Sequence, residues 1–277
     1  MKKNKKVVKD FTLSDLPSNR KELYFDILKN QWRSLIILAF IILVIFVPFI
    51  IFRYYNLLSL NNILKENSET MFHQIKIASL TSNAINILLI MFVGIFFSGI
   101  ARIYKKLAYN DGFFLGADFL KGIKENIKDF IVLFMLYGIV NFMLESLATN
   151  YLVDNSFLYY VFKILNYAMF VPVLVISVCI SSIYNDPVLK KIILSFIIYF
   201  KYLPKILLTT IVALFPLLLL LIPSTTIQLF FPMGYCLIYL PLAYLLFVIV
   251  MNSIFDKEIN NKKFPHLVNK GMYKKQN

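Results

Sequence analysis

Eighteen consecutive residues, Leu35 to Phe52, contain no polar or charged side chain. At a rise of about 1.5 Å per residue, a helix of that length with its flanks crosses the roughly 30 Å of bilayer hydrocarbon. A soluble amphipathic helix keeps a polar face, and this one has none. The run starts too far from Met1, is too long and lacks a small-residue cleavage site, so an uncleaved span is expected rather than a signal peptide. Further apolar segments at about 83–101, 130–147, 161–183, 206–222 and 233–251 make six spans in all. Composition agrees: 59% of the 277 residues are apolar and 16% charged, against roughly 45–50% and 25% in soluble domains. The expected fold class is all-α, a six-span α-helical integral membrane protein occupying residues 35–252. Residues 1–34 are read as a basic tail with an interfacial helix and 253–277 as a second basic tail. Between them, Arg53 to Ser82 reads as a polar, Asn-rich loop with a helical middle.

The net charge of +14 is distributed by position. Segments 1–34, 101–129, 184–205 and 252–277 hold 25 of the 29 Lys and Arg, and the alternate loops hold the other four. Lys and Arg resist translocation, so the rich side, including both termini, is expected to be cytoplasmic. That asymmetry accounts for the charge through the lipid bilayer and excludes nucleic acid as the partner it implies. Pro17 to Arg33 fits a surface helix capped by Ser18 or Asn19, with Trp32 at the headgroup level; a solvated leader is the other reading.

The longest charged interval between two apolar runs is Ala101 to Ile131. Its spacing predicts an interfacial helix running directly into the third span. Phe119, Leu120, Ile123, Ile127 and Phe130 lie on one face, with Asp118, Lys121, Lys124, Glu125 and Lys128 largely on the other. Lys105, Lys106, Asp111, Asp118, Lys121, Lys124, Asn126 and Lys128 form the candidate cytoplasmic contact surface. The interval has an echo downstream. Tyr109-Asn-Asp111 recurs as Tyr184-Asn-Asp186, and Lys124 and Lys128 match Lys201 and Lys205, which suggests two helical hairpins of one orientation. Asp186-Pro187 is expected to cap the helix that follows. The second span also carries Gly94, Ser98 and Ala101, small residues that admit close approach of another helix.

The residues of this interval resemble a known family. Arg102, Lys105-Lys106-Leu107, Gly112-Phe-Phe, Asp118-Phe119 and Ile123-Lys124-Glu-Asn126-Ile-Lys128 are similar to the aromatic-rich "DFFxxFKxNFKQ" run of the YesL family. Ile123 and Ile127 replace phenylalanines of that pattern, Asp129 replaces its glutamine, and the long 53–82 segment departs from it. The resemblance implies a bacterial polytopic membrane protein, in a family whose biochemical role is not established and which is often linked with carbohydrate uptake. It supplies no catalytic residues.

The chemistry within the spans is sparse. Asn141, Glu145, Lys163 and Asn166 are the candidate intramembrane polar residues, and Glu145 and Lys163 read as snorkelling toward the outer interface. The sequence holds no HExxH, GxSxG or Gly-rich phosphate loop, and its two histidines and two cysteines form no ligand spacing. No metal, cofactor or enzymatic activity is therefore expected. A non-catalytic accessory that contacts a membrane-protein partner, or forms a homo-oligomer, demands least. The alternative is a transporter or permease subunit. Ala108, Asp111 and Gly112 resemble the Ala-x-x-Asp-Gly core of the coupling loop in permeases of ATP-driven importers, without the Leu-Pro that follows it.

Overall fold

The computed structural model describes residues 17–66, 70–150, 156–222 and 224–273. The MKKNKK tail and the last four residues lie outside them. Six of its helical segments are long and apolar enough to cross a membrane, and the described residues contain no strand.

After the short helix α1 (Arg20–Asn30) come three long ones, α2 (Trp32–Glu66), α3 (Met71–Ala108) and α4 (Leu115–Asn150). Then follow α5 (Ser156–Leu165), α6 (Val171–Ile183), α7 (Val188–Lys201), α8 (Leu203–Leu214), α9 (Thr225–Gly234) and α10 (Leu240–Phe255). The 38 residues of α3 amount to roughly 57 Å, so these helices extend well past their apolar windows. The segment read as a polar loop from Arg53 to Ser82 is thus largely helix, the end of α2 and the start of α3. Leu57, Leu58, Ile63 and Leu64 continue the apolar spacing among the asparagines and carry the helix on. Asn19 caps α1 by accepting from the Glu22 N–H at 2.9 Å. Leu23 and Ile27 of that helix are buried against the bundle, so α1 is docked rather than a solvated leader.

Glycine sets the closest contact. Helices α3 and α4 form an antiparallel hairpin in contact from Ser79 and Thr149, whose hydroxyls lie 3.1 Å apart, to Arg102 and Glu125. A Cβ on Gly122 would lie 2.9 Å from the Gly99 Cα and 3.0 Å from the Ser98 carbonyl oxygen. One on Gly94 would strike the Phe134 ring at 2.5 Å, and Gly138 sits against the Ile87 backbone. In lipid, where helices gain little by hiding apolar surface from one another, such close backbone packing is a main source of association. The small residues of the second span meet α4, as their spacing suggests.

Proline shapes the later helices. Pro172 and Pro241 have no N–H to donate, and each follows a single π-helical turn, Asn166–Phe170 and Tyr235–Tyr239. Widening the turn lets the Val171 N–H reach the Asn166 carbonyl. The Ala168 carbonyl, four residues before Pro172, accepts instead from the Tyr199 hydroxyl at 2.7 Å. Pro216 begins a 3₁₀ stretch, Phe215–Leu221. The Val212 carbonyl that it frees accepts from Tyr239 at 2.5 Å, and that of Ala213 from Tyr235 at 2.9 Å. Tyrosines on neighbouring elements thus satisfy backbone groups that lipid cannot.

Helix α7 is inverted relative to a soluble amphipath. Leu189, Ile193, Ile197 and Phe200 face outward, whereas Lys191, Ser195, Ile198 and Tyr199 are buried. Lys191, only 2% exposed, pairs with Asp129 of α4. The Ser195 hydroxyl contacts that of Ser177 at 2.8 Å. Asp186 does not cap α7; its carboxylate pairs with Lys190 at 2.7 Å, which holds the carboxyl below its usual range.

The glycine contact has a measurable consequence. Gly122→Val drives a side chain into the α3 backbone and is expected to lower stability by about 1–3 kcal/mol. Gly116→Ala, which meets nothing within 4 Å, is expected to be neutral or to stabilise by up to ~1 kcal/mol through helix propensity. Thermal unfolding of the two variants in one detergent checks the contrast.

Candidate functional site

The segments that meet at one end of the bundle are those richest in Lys and Arg. The Tyr273 N–H donates to the Pro17 carbonyl at 3.0 Å. Arg20 pairs with Asp256 at 2.6 Å, and the Tyr184 hydroxyl donates to the Asn260 side chain at 2.7 Å. The ends of α3, α6 and α10 and the start of α1 therefore converge.

A cavity of about 570 Å³ opens there, walled by three pieces of chain. The end of α3 contributes Arg102, Lys105 and Lys106 and continues into the turn at Tyr109 and Asp111. The turn after α6 contributes Tyr184-Asn185-Asp186. Tyr109 and Asp111 of the first Tyr-Asn-Asp tripeptide and all three residues of the second thus face one space. In both, the tyrosine is the buried C-terminal cap of its helix, and burial pushes both phenols above their ordinary range. The first turn needs Asn110 at φ 51°, a left-handed conformation that asparagine tolerates. The third wall is residues 264–273, a strap rather than a free tail. Its Lys270 pairs with Asp111 at 2.8 Å and lies 5.3 Å from the Tyr109 ring centroid. Phe264 packs on Tyr184 at 5.4 Å between centroids. Gly271, at φ +82°, passes so close to the Tyr109 carbonyl that a Cβ would lie 2.5 Å from it.

The residues predicted for the contact surface divide into three groups. Lys105, Lys106 and Asp111 line the cavity. Asp118 does not lie on a solvated face. It is 7% exposed and accepts from the Phe114 N–H at 2.9 Å, with Lys106 at 2.7 Å and Arg102 at 3.4 Å. Those two cations of α3 draw the carboxylate inward, and Leu120, on the face expected to meet the membrane, is 67% exposed. Lys121, Lys124 and Lys128 are exposed, and Asn126 is half-buried. Lys121 lies 3.8 Å from Glu125, whereas Lys124 and Lys128 have no ion pair among the described residues. Lys270 and Phe264 escaped sequence reasoning, which took their segment for a tail; the signals were Phe264-Pro265 and Asn269-Lys270-Gly271, aromatic and turn residues that a solvated tail has no need of.

The four intramembrane polar residues form a single network between α4 and the α5–α6 segment. Glu145 and Lys163 pair directly instead of snorkelling separately. The Asn166 amide donates to the Asn141 side chain at 2.8 Å and to Glu145 at 3.4 Å, and the Tyr137 hydroxyl donates to Asn166 at 3.4 Å. Asn166 is fully buried and opens the π turn. A charge inside such helices is costly unless paired, and here each finds a partner of opposite sign.

Among the described residues no three His, Cys, Asp or Glu side chains come together as a metal set, and both cysteines are buried free thiols. Compared with models of known protein families, with curated proteins and with solved structures, the chain finds no match.

The Glu145–Lys163 pair is expected to behave asymmetrically. Removing one partner strands the other, at a cost approaching the ~3–5 kcal/mol of a fully buried pair. Glu145→Gln or Lys163→Met alone should therefore destabilise more than the two together. A double-mutant cycle on unfolding in detergent checks it.

Proposed function

We propose that this chain is a bacterial cell-membrane protein, with both termini in the cytoplasm, that acts by contact rather than by catalysis. It serves as a non-catalytic accessory or regulatory partner of another membrane protein; carbohydrate uptake is the system to which the YesL resemblance points. One observation carries this reading, the outward face of α4. With Asp118 turned in against α3, that face displays Lys124 and Lys128 unpaired beside the exposed Leu120. Exposed like charges one turn apart do nothing for the helix that bears them and destabilise it slightly. Two unpaired cations beside an exposed apolar side chain match an acidic face with an apolar centre on a partner. The 25 Lys and Arg of the basic segments support the cytoplasmic orientation of this end.

A second reading, transport of a small solute such as a sugar, draws on the Asn141–Glu145–Lys163–Asn166 network and the π turns of the later helices. Broken helices and polar groups inside the membrane are the features that substrate paths use.

Three measurements separate these readings. A photoreactive residue at position 120 should cross-link one defined membrane protein in cells. Lys124→Glu with Lys128→Glu should abolish that adduct at unchanged membrane insertion. Adducts to phospholipid alone would replace the partner by the membrane surface. Solute flux in liposomes holding only this protein would favour transport. Cysteine introduced at Gly112, where a Cβ meets nothing, should react only with reagent supplied from the cytoplasmic side, and labelling from outside overturns the orientation.

A further inference from the structure

The cavity at the basic end is out of electrostatic balance at one residue. Its wall carries four cations, Arg102, Lys105, Lys106 and Lys270, against two carboxylates, Asp111 and Asp186. Asp111 is taken by Lys270 and Asp186 by Lys190. Asp118 and Glu125, behind the wall, take Lys106 and Arg102. Lys105 alone is left without a carboxylate within ion-pair distance. It is half-buried, and both burial and the like charges of Arg102 and Lys270 weigh against its ammonium, with Asp111 and Glu125 acting the other way. An ammonium withdrawn from water beside two further cations costs stability unless an anion joins it.

The rest of the cavity fits an organic anion rather than a bare ion. Its volume of about 570 Å³ lies within the range of roughly 300–1,000 Å³ of small-molecule sites. Tyr109, Tyr184 and Phe264 give it aromatic walls, and the Asn185 amide and His266 imidazole add hydrogen-bonding groups. A phosphate monoester, with a charge of about −1.5 to −2 at neutral pH and three acceptor oxygens, can take the unpaired Lys105 and share Arg102 and Lys270 with the carboxylates that hold them.

We propose that this cavity binds the phosphate group of a phosphomonoester, with Lys105 as its primary ligand and Arg102 and Lys270 flanking it, and with the paired Tyr-Asn-Asp turns and Phe264 enclosing the organic part. The chemistry is shared by a soluble phosphorylated metabolite and by a phosphomonoester lipid headgroup. The site is independent of the outward α4 face and of the partner reading that rests on it.

The test uses the full chain, purified in neutral detergent without phosphate, with unfolding followed as inorganic phosphate is added against chloride of matched ionic strength. Phosphate should raise the unfolding temperature saturably. Lys105→Gln should weaken the response by about tenfold or more, a loss of roughly 1.4 kcal/mol or more, and Lys105→Arg should retain it. Without phosphate, Lys105→Gln should unfold no earlier than wild type, because it removes an uncompensated charge. Lys270→Gln provides a second variant expected to weaken the response. Glycerol 3-phosphate as competitor, and phosphatidic acid in phosphatidylcholine nanodiscs, distinguish the sources. Competition by the first identifies a soluble ligand, and a Lys105-dependent response to the second alone identifies a headgroup. Wild-type protein that responds to none of the three probes, or a response that Lys105→Gln leaves intact, overturns the proposal.

Discussion

The close approach of α3 and α4 at Gly94, Gly99, Gly122 and Gly138 governs the arrangement of everything at the basic end. Because their backbones nearly touch beside Ser98, Arg102 on one helix is brought within reach of Asp118 and Glu125 on the other. That pairing fixes the rotation of α4 about its own axis. Asp118 is drawn inward, Leu120 is left outside, and Lys124 and Lys128 are left unopposed. The same contact places the end of α3, with its three cations, as one wall of the cavity. A larger side chain at Gly122 would therefore disturb charges well beyond its own contacts.

The second constraint is that backbone groups within hydrocarbon need partners. Prolines in the later spans violate it locally, and the fold answers with hydroxyls from across the bundle. Tyr199 serves the carbonyl freed by Pro172, and Tyr239 and Tyr235 serve those around Pro216. These tyrosines join segments that share few other polar contacts, so each kink is also a tertiary fastening.

Much of this was legible in the chain. Six apolar windows forecast six membrane-length helices, and Gly94 and Ser98 pointed to a close helix contact. Asn141, Glu145, Lys163 and Asn166 stood out because polar groups are rare in such windows, and they prove to be neighbours. Periodicity failed where long-range charge decided the outcome. Asp118 reads as solvated until Lys106 and Arg102 are known to lie beside it. The Arg53–Ser82 segment looked like a loop because its asparagines outweigh its leucines locally, although the leucines keep helical spacing. The Tyr-Asn-Asp echo was visible as a repeat, but a linear chain gives no sign that both copies face one cavity.

The strap of residues 264–273 follows the sixth membrane-length helix, so the ribosome makes it after those six. Its Lys270, Phe264 and Gly271 rest on turns formed much earlier, at Tyr109–Asp111 and Tyr184. The cavity is thus a product of late assembly: while the bundle is being built, its third wall does not yet exist, and the lysines of α3 stand open to water. Closure therefore follows the making of these six helices, and a chain cut before residue 264 keeps them with an unroofed basic end.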